Sequence, residues 1–135
     1  PHPTAAHWQA LHGYVRTARV AGVALYLLDT PPDDLNGVTV GEVEAFVRDG
    51  NVRGRPLPDL ARPLLKAHLS ARRAEGATDT DPYLNQKGVR RHLEALIDAR
   101  RHLGIPIYAR FLRGGSLKHS ERPIWRFGLE LRDLT

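Results

Sequence analysis

Cysteine and methionine are both absent from the 135 residues. The first absence excludes disulfides, thiolate metal sites and cysteine nucleophiles, and it says nothing about redox compartment, because a chain without thiols is indifferent to it. Long apolar runs are missing as well. The longest, "VAGVALYLL", ends at Asp29, far short of the roughly 20 residues that a membrane span requires. The opening "PHPTAAHWQALHG" lacks the charged lead and apolar stretch of a signal peptide, so the expectation is a soluble, cytoplasmic protein with no membrane partner. A phosphate-cradling loop is not there either: "RGGS" has neither a strand-to-helix setting nor a closing Lys-Ser/Thr.

Catalytic signatures are equally scarce. The seven histidines provide no pair at zinc spacing with a carboxylate nearby; His68 is expected as a hydrogen-bonded core residue, and His92 and His102 flank basic residues. The carboxylate pairs Asp33/Asp34 and Asp79/Asp81 fall in loops rich in helix-capping residues, where capping is the simpler use. No catalytic residue, metal or cofactor is expected, and the chain is read as a non-enzyme.

What is present is hydrophobic pattern and unevenly placed charge. A hydrophobic content of 41% over this length suits one domain, residues 1–135, with a helical part (1–76) followed by a basic helix and β-hairpin (82–135). Residues 1–86 hold nine Lys and Arg against ten Asp and Glu, whereas residues 87–135 hold eleven against five. The whole basic excess therefore sits in the last third, which concentrates polyanions at one face and points to nucleic acid.

Helical spacing organises most of the chain. Thr4 is placed to cap a first helix carrying Trp8, Leu11 and Val15, with Arg16 and Arg19 turned outward and Gly22 breaking or bending the path. "VALYLL" (23–28) reads as a buried helix and "DTPPDDLNG" as a loop. Thr39 and Glu42 form a capping box for a helix over 40–49, closed by Gly50, with Val43, Phe46 and Val47 inward. After the connector "NVRGRPLP", Asp59 is expected to cap a helix that buries Leu60, Leu64, Leu65, His68 and Leu69 and ends at Gly76. "ATDTDP" reads as another loop. The helix "NQKGVRRHLEALIDARRHLG" puts Val89, Leu93, Leu96, Ile97, Arg100 and Leu103 on one side.

From Ile105 the period changes from 3.6 to 2. In "IYARFLRGGSLKHSERPIWRFGLELR" and the residues before it, Ile105, Ile107, Ala109 and Phe111 share one face of a strand, and Trp125, Phe127, Leu129 and Leu131 share one face of a second. Tyr108, Arg110, Arg126, Glu130 and Arg132 lie opposite, and the loop adds Arg113, Lys118, His119 and Arg122 around Gly114 and Gly115. The fold class expected is mainly α with a C-terminal β-hairpin.

In element order, residues 38–132 resemble a winged helix-turn-helix domain, which implies a helix in the major groove and a hairpin wing on adjacent phosphates. The resemblance implies that the helix presents Gln86, Lys87, Arg90, Arg91 and Arg101, and that the wing presents Arg113, Lys118, His119 and Arg122, with Arg110 and Arg126 on the outward strand faces. The segments "GVTVGEVEAFVRDGNVRGRPLPDLARPLLKAHLSARR" and "DPYLNQKGVRRHLEAL" also look like the middle of a tyrosine-recombinase (phage-integrase) catalytic domain. Thr39 stands where that family has its first catalytic arginine, the one His-x-x-Arg is His119 to Arg122, and no tyrosine follows it; this resemblance implies a DNA-binding relative without the chemistry. The expected partner is double-stranded DNA, with a homodimer allowed. The alternative is a protein-interaction or assembly module that uses the basic hairpin, with Arg90 paired to Glu94 and the hairpin a solvated edge protected by charge.

Overall fold

A helix that is apolar on every side has nowhere stable to lie except inside other helices, and residues 20–27 meet that condition. In the computed structural model, which describes residues 3–13, 16–85, 90–105 and 107, this segment belongs to α2 (Thr17–Leu27), and every residue from Val20 to Leu27 is buried. Around it lie α1 (Ala5–His12), a 3-10 helix (Pro32–Gly37), α3 (Val40–Asp49), α4 (Arg62–Ala74) and α5 (Arg90–Leu103). α4 and α5 each pack on α2, and α3 packs on α4. The described fold is mainly helical, with one small antiparallel sheet of two strands, β1 (Asn51–Val52) and β2 (Arg55–Pro56).

The first helix is shorter than its apolar spacing predicts. α1 stops at His12, and the chain re-enters a helix only at Thr17, with Arg16 at the N-cap in an extended conformation. The restart turns Val20, Val23, Ala24 and Leu27 into the core, and it turns Arg19 inward, where it pairs with Asp98 of α5 instead of facing solvent. Gly22 does not break the path; it lies in the middle of α2, with His92 of α5 and Leu84 each 3.7 Å from where a Cβ would stand, an ordinary contact distance. Tertiary packing outweighs the roughly 1 kcal/mol by which glycine disfavours a helix interior.

The capping box at Thr39 forms as the pattern predicts. The Glu42 amide donates to Thr39 Oγ1 at 3.2 Å, the Thr39 amide donates to Glu42 Oε1 at 3.2 Å, and Gly50 closes α3 at φ 67°. Val40, Val43 and Val47 are buried, with Phe46 half-buried. The loop "DTPPDDLNG" contains the 3-10 helix, because Pro32 suits its first turn and Leu35 has a core site to fill. The connector "NVRGRPLP" is a β-hairpin: Arg53 (φ 51°) and Gly54 (φ 87°) make the two-residue turn, and the Gly54 amide donates to Asn51 Oδ1 at 2.7 Å.

Asp59 does not cap α4. Residues 58–61 fold as a turn in which the Pro58 carbonyl accepts from the amides of Ala61 and Arg62, so Ala61 takes the N-cap position and Pro63 falls in the first turn. On α5 the inner stripe is broader than the spacing predicts: His92, Ala95 and Ala99 are buried with Leu93, Leu96 and Ile97, whereas Arg100 is half-exposed. Ile105 and Ile107 are buried, but neither lies in a strand as the expected hairpin requires, and the Ile105 amide donates to the Ala99 carbonyl at the end of α5 at 3.3 Å. The rest of that hairpin, like Val15 and Val89, lies outside the described residues; the described sheet instead sits between α3 and α4.

Candidate nucleic-acid interface

The expected contact residues divide into two groups. Lys87, Arg110, Arg113, Lys118, His119, Arg122 and Arg126, with Gln86, lie outside the described residues. Arg90, Arg91 and Arg101 are on α5, and all three are exposed. They share an outer face because the opposite face is taken up by Leu93, Leu96, Ile97 and Ala99 against the core, which leaves α5 as an outer helix with polar residues outward.

Two carboxylates lie among these cations. Glu94 accepts an ion pair from Arg90 at 3.4 Å, the i,i+4 geometry read from the sequence, with both side chains about half exposed. Asp98 is held by Arg19 of α2, so its charge is compensated from the body. Arg91 forms no ion pair with any of the described residues. The outer face is therefore cationic once its internal pairs are counted, and Arg91 is the side chain on it most available to an anion.

A second basic feature was not anticipated. The β1–β2 turn carries Arg53 and Arg55, both exposed and both tied to the end of α2: Arg53 donates to Thr30 Oγ1 at 2.8 Å and stacks 5.4 Å over the Phe46 ring, and Arg55 pairs with Asp29. The Asn51 and Gly54 punctuation in "NVRGRP" was the signal for this turn. Its guanidinium groups have protein partners, so its first role is to hold the hairpin against α2.

Buried polar groups elsewhere serve the fold. His68 Nε2 donates to the Tyr83 carbonyl at 2.9 Å, and its Nδ1 accepts from the Thr17 hydroxyl at 2.9 Å. Burial lowers its pKa below 6.5, partly opposed by the Tyr83 hydrogen bond, and the neighbouring Arg72 cation lowers it further. Burial raises the pKa of the Tyr83 phenol, which donates to the Leu65 carbonyl at 2.8 Å. Arg72 donates to the Pro82 carbonyl through Nε at 3.0 Å and through a terminal nitrogen at 2.9 Å, and it pairs with Glu75 at 2.7 Å. Asp81 accepts from the Thr78 amide at 2.7 Å, which lowers its pKa, so this loop carboxylate serves as a turn cap. Among the described residues no three His, Asp or Glu side chains converge as a metal site, and no helix is long and apolar enough to cross a membrane.

The chain matches no protein-family model, no curated protein and no solved structure. The class that can be stated is therefore the architectural one: a mainly helical fold around a buried central helix, with a small antiparallel hairpin.

Proposed function

We propose that the chain binds duplex DNA without catalysing a reaction on it, through the outer face of α5 and the basic residues that follow. The observation that carries this reading is the placement of charge. Eleven cations against five carboxylates fall in residues 87–135, and α5, the described part of that segment, spends its apolar face on the core while Arg90, Arg91 and Arg101 face solvent. Phosphates favour such a face through long-range steering and counterion release. In a winged-helix-like arrangement, α5 would meet the major groove near its N-terminal end and Arg113, Lys118 and Arg122 would sit on adjacent phosphates.

The test is a triple variant, Arg113→Ala with Lys118→Ala and Arg122→Ala, titrated with duplex DNA at several salt concentrations. The expected result is weaker binding and a salt slope reduced by up to about 3 units, with the melting temperature nearly unchanged. Unaltered binding would remove the wing from the interface. Affinity for a protein partner that persists at high salt would favour the assembly-module alternative, because an apolar interface does not weaken as counterions are added.

A further inference from the structure

His92 occupies a position that neither the fold nor the DNA reading explains. It is on α5, 3% exposed, and wedged where three elements meet. Its Nε2 donates to Asn36 Oδ1 on the 3-10 helix at 2.7 Å, and its Nδ1 faces α2 at Gly22, 3.7 Å from where a Cβ on that residue would stand. Leu84 closes the same spot from the loop before α5, at 3.7 Å from that point. Nδ1 hydrogen-bonds to none of the described residues, so in the neutral ring it is a bare acceptor lying against apolar surface. A protonated ring would place a second N–H, and a positive charge, against a helix backbone and a leucine.

The charged groups on the surrounding elements do not compensate. Arg19 of α2 is engaged with Asp98 of α5, Arg90 and Glu94 of α5 pair with each other, Arg91 and Arg101 point outward, and Asp33 and Asp34 of the 3-10 helix are exposed. Asp81, in the loop that leads to Leu84, is held by Thr78. His68 on the other side of α2 makes a useful contrast. Both of its nitrogens have partners, and the Thr17 hydroxyl can turn to accept from a second ring N–H, although burial and the Arg72 cation lower the pKa of this ring as well.

We propose that His92 is a proton-sensitive latch: α5 docks on α2 and the 3-10 helix with this imidazole neutral, and protonation of the ring loosens α5 from the body. The proposal does not depend on DNA binding. Burial alone depresses the pKa of His92 below 6.5, so the undocked state holds the proton more tightly than the docked one. Docking is accordingly at full strength above pH 6.5, weakens as pH falls toward the folded pKa, and loses nothing more below it.

Hydrogen exchange on the whole chain, corrected for intrinsic rates, tests the latch. Between pH 7.5 and 5.5 the opening of α5 should rise relative to that of α3, by up to about tenfold per pH unit. His92→Gln keeps an N–H for Asn36 but cannot titrate, so it should abolish the pH response, whereas His68→Gln should leave it in place. In the wild-type chain, the NMR titration midpoint of His92 should lie below 6.5, at the pH where the rise in α5 opening levels off. A pH response that survives in His92→Gln, or a His92 midpoint at or above 6.5, would overturn the proposal. If His92→Gln does not fold, the wild-type titration decides alone.

Discussion

The two flanks of α2 are held in different ways. On the α4 side, polar groups stitch side chains to backbone: His68 and Arg72 bind the carbonyls of Tyr83 and Pro82, the Tyr83 hydroxyl binds the Leu65 carbonyl, and the amides of Val40 and Gly41 donate to the carbonyls of Asp81 and Asp79. Among the described residues the α5 side has the His92–Asn36 bond and the Arg19–Asp98 pair, and it packs Leu93, Ala95, Leu96, Ile97 and Ala99 against the core. Directional bonds fix one arrangement because a displaced partner leaves a buried donor or acceptor unsatisfied. Apolar packing tolerates sliding and rocking more readily, so α5 is the element better suited to move or to be captured by a partner.

Removing the apolar anchor of α5 should have the largest effect. Leu96 is 1% exposed, and Leu96→Ala is expected to cost about 2 to 5 kcal/mol by denaturant unfolding. On the other flank, Arg72→Ala strips the Pro82 carbonyl of two charged donors and should cost about 2 kcal/mol, with the loss seen in exchange protection of the loop 78–83 and the start of α3. Equal loss of protection in α5 would show that the two flanks are coupled and break the comparison.

Two helical glycines sharpen it with opposite signs. A Cβ on Gly41 would stand 3.0 Å from Asp79 Cβ and 3.1 Å from the Asp79 carbonyl oxygen, so Gly41→Ala must push back the loop and should destabilise by about 1 kcal/mol despite its better helix propensity. A Cβ on Gly22 would meet its nearest neighbours at 3.7 Å, an ordinary contact, and Gly22→Ala should stabilise by about 0.5 to 1 kcal/mol. Thermal melts of the two variants read both signs directly. The smallest change is expected for Glu94→Gln, which breaks an exposed pair with Arg90 and should shift stability by under about 0.5 kcal/mol while raising duplex affinity.

The same division explains what was legible in the amino-acid sequence. Helix α3 was readable because its signals are local: the Thr39/Glu42 box, Gly50, and valines at helical spacing. The inner face of α5 was readable from Leu93, Leu96 and Ile97, and the Arg90–Glu94 pair from its spacing. The polar stitching was not, since it joins residues far apart in the chain, such as Thr17 to His68 and Arg72 to the Pro82 carbonyl. Arg19 was read as outward because the restart of the helix at Thr17 was not foreseen, and Asp98, its partner, is 79 residues away. His92 was read only as flanking basic residues on the last helix. Only the proximity of Gly22 and Asn36 makes it a core residue. Of the proposed contact residues, the structure brings Arg90, Arg91 and Arg101 to one face of α5, while Lys87, Arg110, Arg113, Lys118, His119, Arg122 and Arg126 lie outside the described residues.

Titration of the whole chain with random-sequence duplex DNA at 50 mM and 200 mM salt tests the central claim most directly. A face that neutralises several phosphates should lose affinity steeply over that interval, by at least about tenfold, and Arg91→Ala should weaken binding without changing the melting temperature. If Arg91 also reads base edges, its loss should fall more heavily on a preferred site, by about 1 to 3 kcal/mol of discrimination. Absence of binding at 50 mM salt, or an affinity indifferent to both salt and Arg91, would contradict the account and assign the basic third of the chain to another partner.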